Sequence, residues 1–293
     1  MKILILGGSG MLGHKLWQVL GEQFESFCTL RTTKPNPKLQ QLETYKRKIV
    51  YNVDAYETGS VEKAIDAVKP DIVINCIGLI KQLDISNSYE PTIQLNSLFP
   101  HQVNTYCKKR LIKFIHISTD CVFSGKTGNY SETDFADAND LYGRSKYLGE
   151  VTYDNALTLR TSIVGHELEA SVSLIDWFLS QKEMVKGYSN VMYSGLTTLE
   201  LSNVILNIVS NHPDLEGLYQ VASNPISKNH LLQLVKTTYK HDVSINAFDG
   251  YKSNKVLLPT KFITQIGYTA PSWNKMLNSL FEDYTMNNFL YQK

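Results

Sequence analysis

The first thirteen residues constrain this chain most. Lys2-Ile-Leu-Ile-Leu6 is a short apolar run of strand type, and Gly7-Gly8-Ser9-Gly10-Met11-Leu12-Gly13 follows it without a break. An amphipathic helical pattern, Leu12–Leu20, comes directly after. Gly7, Gly10 and Gly13 make the spacing G-x-x-G-x-x-G. Glycine permits the tight turn and lets a pyrophosphate approach the backbone, while the helix start offers free N–H groups and a positive dipole end. Gly13 lets the helix lie close to the strand. A merely tight turn would need less glycine. Strand, turn and helix in this order predict a dinucleotide site at Gly7, Ser9, Gly10, Met11, Leu12 and Gly13.

The alternation continues for more than half of the chain. Strands are expected at Lys2–Leu6, Ser26–Arg31, Lys48–Asn52, Ile72–Cys76, Phe114–Ser118 and Ala156–Arg160, with helices at Leu12–Leu20, Val61–Val68, Pro91–Lys108 and Tyr142–Tyr153. Short apolar strands between amphipathic helices imply βαβ units, hence an α/β protein with a Rossmann-type doubly wound parallel sheet. After Gly165 the pattern loosens. Helices are expected at Ser173–Gln181, Thr198–Ser210, Lys228–Tyr239 and Trp273–Tyr284, divided by turns at His212-Pro213, Asn224-Pro225 and Ala270-Pro271. The reading is a cofactor domain over residues 1–165 and a smaller C-terminal α/β substrate lobe over 166–293, some of whose strands can return to the sheet.

The end of the second strand bears on the choice of dinucleotide. NAD sites usually carry an acidic residue there for the ribose hydroxyls. Cys28-Thr29-Leu30-Arg31-Thr32-Thr33-Lys34 has none, and Arg31 is placed to fork onto a 2′-phosphate with Lys34 as an auxiliary charge. NADP(H) is therefore expected in preference to NAD(H), which stays admissible. Asp54, with Ala55 beside it, is expected near the adenine amino group, and Cys76-Ile77-Gly78 along the cofactor.

A second pattern lies mid-chain. Tyr142 and Lys146 are four residues apart and so share a helix face, and Ser118-Thr119-Asp120 precedes them. An ammonium near a phenol favours its anion and lowers a pKa that is about 10 when unperturbed. A tyrosine tuned in this way can exchange a proton with an alcohol or ketone oxygen, and Thr119 can hold the same oxygen. With 17 tyrosines in the chain the spacing alone proves little. It gains weight from the glycine turn.

Composition excludes several classes. The net charge of +1 lacks the basic field of nucleic-acid or membrane-surface binders. Apolar runs such as Ile3–Leu6 and Val204–Val209 are too short to span a bilayer. No signal peptide precedes the first strand, so a cytoplasmic location is expected. Cys28, Cys76, Cys107 and Cys121 are widely spaced, with no Cys-x-x-Cys pair, and no metal or disulfide framework is expected.

These motifs, in this order, resemble the extended short-chain dehydrogenase/reductase superfamily. Ser118-Thr-Asp-Cys-Val-Phe-Ser-Gly125, Tyr142-Gly-Arg-Ser-Lys-Tyr-Leu-Gly-Glu150 and Leu159-Arg-Thr-Ser162 are similar to the signatures of dTDP-4-dehydrorhamnose reductases and their sugar-nucleotide relatives. The resemblance implies reduction of the C4 ketone of a nucleotide-linked 6-deoxyhexose. It implies Tyr142 as the acid, Lys146 on the nicotinamide ribose, Thr119 on the carbonyl with Ser118 beside it, and Asn96 as a member of the relay. It also implies a nucleotide-sugar substrate and a homodimer through Pro91–Lys108 and Tyr142–Tyr153. Cys121 replaces a common aromatic residue, and Tyr193-Ser-Gly-Leu-Thr-Thr198 departs from the usual Pro-Thr turn. An epimerase on the same scaffold and a non-catalytic regulatory subunit are the rival readings. Lys81 and Gln82 are expected either at substrate or in solvent. Phe178 and Trp177 are expected in the core, Arg160 in a structural ion pair, and His14 and His116 in structural roles.

Overall fold

The computed structural model describes residues 1–34, 36–80 and 87–292; the Lys81 and Gln82 expectations lie outside them. Six strands, β1 (Lys2–Leu6), β2 (Glu25–Thr29), β3 (Arg47–Val50), β4 (Ile72–Asn75), β5 (Lys113–Thr119) and β6 (Ala156–Thr161), join the strand Gly217–Gln220 in one sheet. The order is Gly217–Gln220, β6, β5, β4, β1, β2, β3, and every neighbouring pair is parallel. Strand order reverses between β1 and β4, which opens a crevice at their carboxyl ends.

Both faces of this sheet are covered, so β1 is apolar at every position after Lys2. Ile3 and Ile5 pack with Leu16 and Trp17 of helix α1 (Gly13–Leu20) and with Ile205 and Ile208 of the helix Thr198–Asn211. Leu4 and Leu6 face the other way, onto Val61 and Ile65 of α3 (Thr58–Val68) and Phe99 and Val103 of α5 (Phe99–Lys108). Between α1 and α3 lies the single turn α2 (Pro37–Gln40), started by Pro37 and capped by Asn36.

Two helices differ from expectation. Pro91–Lys108 is not one regular helix: it is α4 (Tyr89–Thr92), a π-helical stretch Ile93–Leu98, and then α5. The wider turns coincide with Asn96, whose side chain holds both backbone groups of Leu79. Helix α6 (Leu141–Leu148) stops short of Tyr153 because Gly149 ends it and Glu150 turns inward to Arg160. No helix among the described residues is long and apolar enough to cross a membrane.

The second half of the chain adds small sheets. In one of them Val191–Tyr193 lies between Ile226–Ser227 and Ser253–Asn254. The last of these segments is tied to the loop after β5: Asn254 N donates to Gly125 O at 2.7 Å and Tyr130 N to Val256 O at 2.9 Å. Phe178 is fully buried, whereas Trp177, expected beside it in the core, keeps 37% of its surface.

Candidate active site

The glycine turn closes on itself as its spacing requires. Gly7 has φ +91°, a conformation costly for any residue with a Cβ, and Gly10 N donates to Gly7 O at 3.1 Å. A Cβ on Gly13 would stand 2.0 Å from Gly7 O, so only glycine lets α1 start this close to the turn. No side chain caps α1 and no acidic residue occupies its first turn. Uncapped N–H groups and a dipole end beside an exposed Ser9 and Gly10 fit a dinucleotide pyrophosphate.

At the nucleoside end, Arg31 is exposed at the close of β2 and its charge acts on the Tyr56 phenol. Asp54 anchors the neighbouring turn: its carboxylate accepts from Tyr56 N at 3.0 Å, and its carbonyl accepts from Ser60 Oγ at 2.9 Å. Ala55 is buried beside it. Cys76, Ile77 and Gly78 leave β4 half-buried, with Gly78 against the Asn96 side chain and the Lys146 ammonium. Asn96 in turn donates to Ser145 Oγ at 3.2 Å, tying the π-helical stretch to α6.

Thr119, Tyr142 and Lys146 come together at the carboxyl edge of the sheet. Asp140 caps α6 by accepting from Gly143 N at 2.8 Å, which sets the start of the helix carrying both Tyr142 and Lys146. The phenol of Tyr142 is hydrogen-bonded to Thr119 Oγ1, which also accepts from Cys121 N at 3.1 Å. Lys146 Nζ donates to Ile117 O at 2.9 Å and lies 3.5 Å from His116 Nε2. Burial lowers the Lys146 ammonium to about 8, opposed by Glu150 and the Cys76 thiol.

Two expectations need correction. Lys146 does not depress the Tyr142 phenol; burial, then the Cys121 thiol, push it well above its ordinary value, against the Thr119 hydrogen bond. The reason is geometric, since the ammonium is turned onto the β5 backbone. The hydroxyl of Ser118 does not sit beside Thr119 in the site. Successive residues of a strand face opposite ways, and Ser118 Oγ donates to Glu150 Oε1 at 2.7 Å. That carboxylate also takes both arms of Arg160, at 2.7 Å each, which is the structural ion pair expected for Arg160.

His14 is structural, buried between Gly10 O and Tyr291 OH. His116 is more than that. It touches Lys146 Nζ and Asn75 Nδ2, and burial, then the Lys146 charge, hold it well below its ordinary value, so it stands neutral beside the ammonium. Sequence reasoning also missed Lys228 and Lys255, both of which act on Asp120 and Cys121. Nothing in local spacing marks them, because they arrive from segments over 100 residues downstream of Asp120.

A glycine turn at a strand-order reversal, with Tyr142 and Lys146 on one helix beside Thr119, defines an extended short-chain dehydrogenase/reductase. Within that class the chain belongs to the family described as the RmlD substrate binding domain, whose model matches residues 1–286. It is 25% identical to the spore coat polysaccharide biosynthesis protein SpsK of Bacillus subtilis, over 77% of this chain and 74% of SpsK. It is 31% identical to a probable low-salt glycan biosynthesis reductase, Agl14 of Haloferax volcanii, over 56% of this chain but only 54% of Agl14. A dTDP-4-dehydrorhamnose reductase of Bacillus anthracis, solved in complex with NADP, shares the fold at a TM-score of 0.76 and 18% identity, covering 96% of this chain and 99% of that one.

Proposed function

We propose that the protein is an NADP(H)-preferring reductase, also admitting NAD(H), of a nucleotide-linked 4-keto-6-deoxy sugar, acting in deoxysugar supply for a surface polysaccharide. The observation that carries this reading is the convergence of Thr119, Tyr142 and Lys146 at the mouth of the glycine-turn crevice. The family and the reductase named among its relatives support it.

The cofactor would lie with its pyrophosphate on Gly7–Gly13, its adenosine end by Arg31 and Asp54, and its ribose by Lys146. When bound, the nicotinamide supplies the reducing equivalent. The chain's own residues do the rest. Thr119 and Tyr142 hold the ketone oxygen between two hydroxyls, and Tyr142 passes its proton to that oxygen as negative charge develops there. A phenol held above its ordinary pKa is protonated at neutral pH, so the proton is in place before reduction begins. Lys146, its ammonium beside Ile117 O and His116, would bind the nicotinamide ribose, and Asn96 fixes the loop along which the cofactor would run.

The same proposal carries the division of the chain near Gly165 into cofactor and substrate halves, and a cytoplasmic location. It carries also a homodimer through the helices around exposed Leu98, Tyr147 and Leu148, which sedimentation would test. For the activity, the purified protein is mixed with NADPH and dTDP-, UDP-, GDP- and CDP-linked 4-keto-6-deoxy sugars. Consumption of NADPH with a reduced sugar nucleotide as product is expected for one of them. No consumption with any would end the reductase reading, and sugar inversion without added NADPH would favour the epimerase.

A further inference from the structure

Beyond Thr119 the site wall is built by charges that the mechanism above does not use. The small sheet centred on Val191–Tyr193 assembles them. Ile226 pairs with Tyr193, and Lys228 begins the next helix, Lys228–Tyr239, one residue beyond that strand. On the other side Asn254 pairs with Met192, bringing Lys255 level with Tyr193. Lys228 Nζ lies 3.9 Å from the centroid of the Tyr193 ring. The Lys255 ammonium lies close to the Cys121 side chain, and against the cost of burial Cys121 and Asp120 raise it above its ordinary value. Segments starting near 191, 226 and 253 thus deliver two ammonium groups to the Asp120–Cys121 turn, adjoining Thr119.

Neither lysine forms an ion pair with a described residue. Asp120 acts on both ammonium groups but stands in ionic contact with neither, and burial raises its carboxyl against their pull. Asp140, which also acts on Lys255, is committed to capping α6. Burial pushes the Cys121 thiol up to about 11, so it brings no negative charge. A ring face offsets only part of the cost of desolvating an ammonium. Two half-buried cations converge on one side of a substrate site with no carboxylate in ionic contact among the described residues, an arrangement that suits an anion of the ligand.

We propose that Lys228 and Lys255 form a cation pair that binds an oxyanion of the substrate beside Thr119. The pair rests on the nucleotide-sugar reading for its natural ligand. The oxyanion comes from the diphosphate or from a carboxylate on the sugar, and either suits two point-charge donors.

Binding is measured by calorimetry on the full chain saturated with NADP+, which fills the glycine turn. The probes are inorganic pyrophosphate, UDP, dTDP, UDP-glucose and UDP-glucuronate. Lys228→Met and Lys255→Met should each weaken pyrophosphate by about tenfold, and the double variant by about a hundredfold, with NADP+ affinity and melting temperature retained. Lys228→Arg should stay within about threefold of the parent, which a merely structural lysine would not require. A loss that extends to UDP or dTDP assigns the diphosphate. A loss seen only for UDP-glucuronate against UDP-glucose assigns the sugar carboxylate. If the double variant binds both pyrophosphate and UDP-glucuronate as well as the parent does, the cation pair is wrong. If the parent binds pyrophosphate but no nucleotide, the lysines stand and the nucleotide-sugar reading falls.

Discussion

Two of the lysines that this molecule buries have their charge treated in opposite ways. Lys15, on α1, is 1% exposed and meets Asp283 of the helix Trp273–Met286 at 2.6 Å, with its ammonium 5.9 Å from the Tyr291 ring. Lys146, on α6, is 5% exposed and, among the described residues, has no carboxylate in ionic contact; it meets a carbonyl and a neutral histidine. The first charge is matched and ties the sheet to the C-terminal helices. The second is held at a cost, and a cost not recovered in packing points to chemistry. The comparison teaches that burial alone does not mark a functional charge; what stands around the charge does.

The largest expected effect tests the site side of the comparison. Tyr142→Phe removes the proton donor and leaves the ring, so turnover of the ketosugar should fall by about a thousandfold. Urea unfolding should move by less than about 1 kcal/mol, since the variant loses one hydrogen bond, to Thr119. Near-normal turnover would remove Tyr142 from its assigned role.

The structural side should respond the other way. Asp283→Ala strands a buried ammonium and should cost about 2–3 kcal/mol in urea unfolding, at the low end for broken buried pairs because the Asp283 side chain keeps 14% exposure. Activity per folded molecule should be unchanged. Lys15→Met with Asp283→Leu should recover most of the loss, since a well-packed apolar pair can replace a buried ionic one. The contact is close but poorly aligned for a hydrogen bond, which favours that recovery. A double variant as unstable as Asp283→Ala would show that the ion pair itself carries the stability.

How much of this was legible in sequence follows from how each part is built. The glycine turn and the Tyr142–Lys146 pair lie within single elements, where spacing fixes geometry, and the parallel sheet follows from the alternation of its strands and helices. Ser118 shows the limit of motif reading. It sits next to Thr119 in the Ser118-Thr119-Asp120 motif, yet strand alternation turns it to the opposite face, onto Glu150. His116 was readable in principle as another member of β5, but its contact with Lys146 crosses from strand to helix. Lys228 and Lys255 were not readable at all. Their meeting at Asp120 depends on which strands of the small sheet pair, and no local pattern encodes that.

Lys146 also makes the comparison visible through pH. Its folded value of about 8 lies below the ordinary value of 10.5. Between these limits the unfolded chain holds a proton that the folded chain has released, so stability from this group rises with pH across that window. Below about pH 8 both states are protonated and the full burial penalty remains. The apo protein should therefore gain stability relative to Lys146→Met between about pH 8 and 10.5, by at most on the order of 3 kcal/mol. Urea unfolding of both proteins across this range measures the difference. A flat difference would mean that Lys146 has found a counter-charge and belongs with Lys15.

The smallest effect concerns Arg31, an exposed charge and so the weakest of those compared. Its guanidinium stands at the end of β2 near Tyr56, with no acidic residue at the position that usually holds ribose hydroxyls. A fork of N–H donors fits a 2′-phosphate, whereas NADH offers it no anion. Arg31→Ala should raise the KM for NADPH by about tenfold and leave the KM for NADH within about twofold. Because the contact is open to solvent, salt should screen it, and the parent's preference for NADPH should shrink as ionic strength rises. Equal loss with both cofactors would move Arg31 to a structural role beside Tyr56. A preference that ignored salt would mean that the discriminating group is buried, and that it lies elsewhere than at the exposed end of β2.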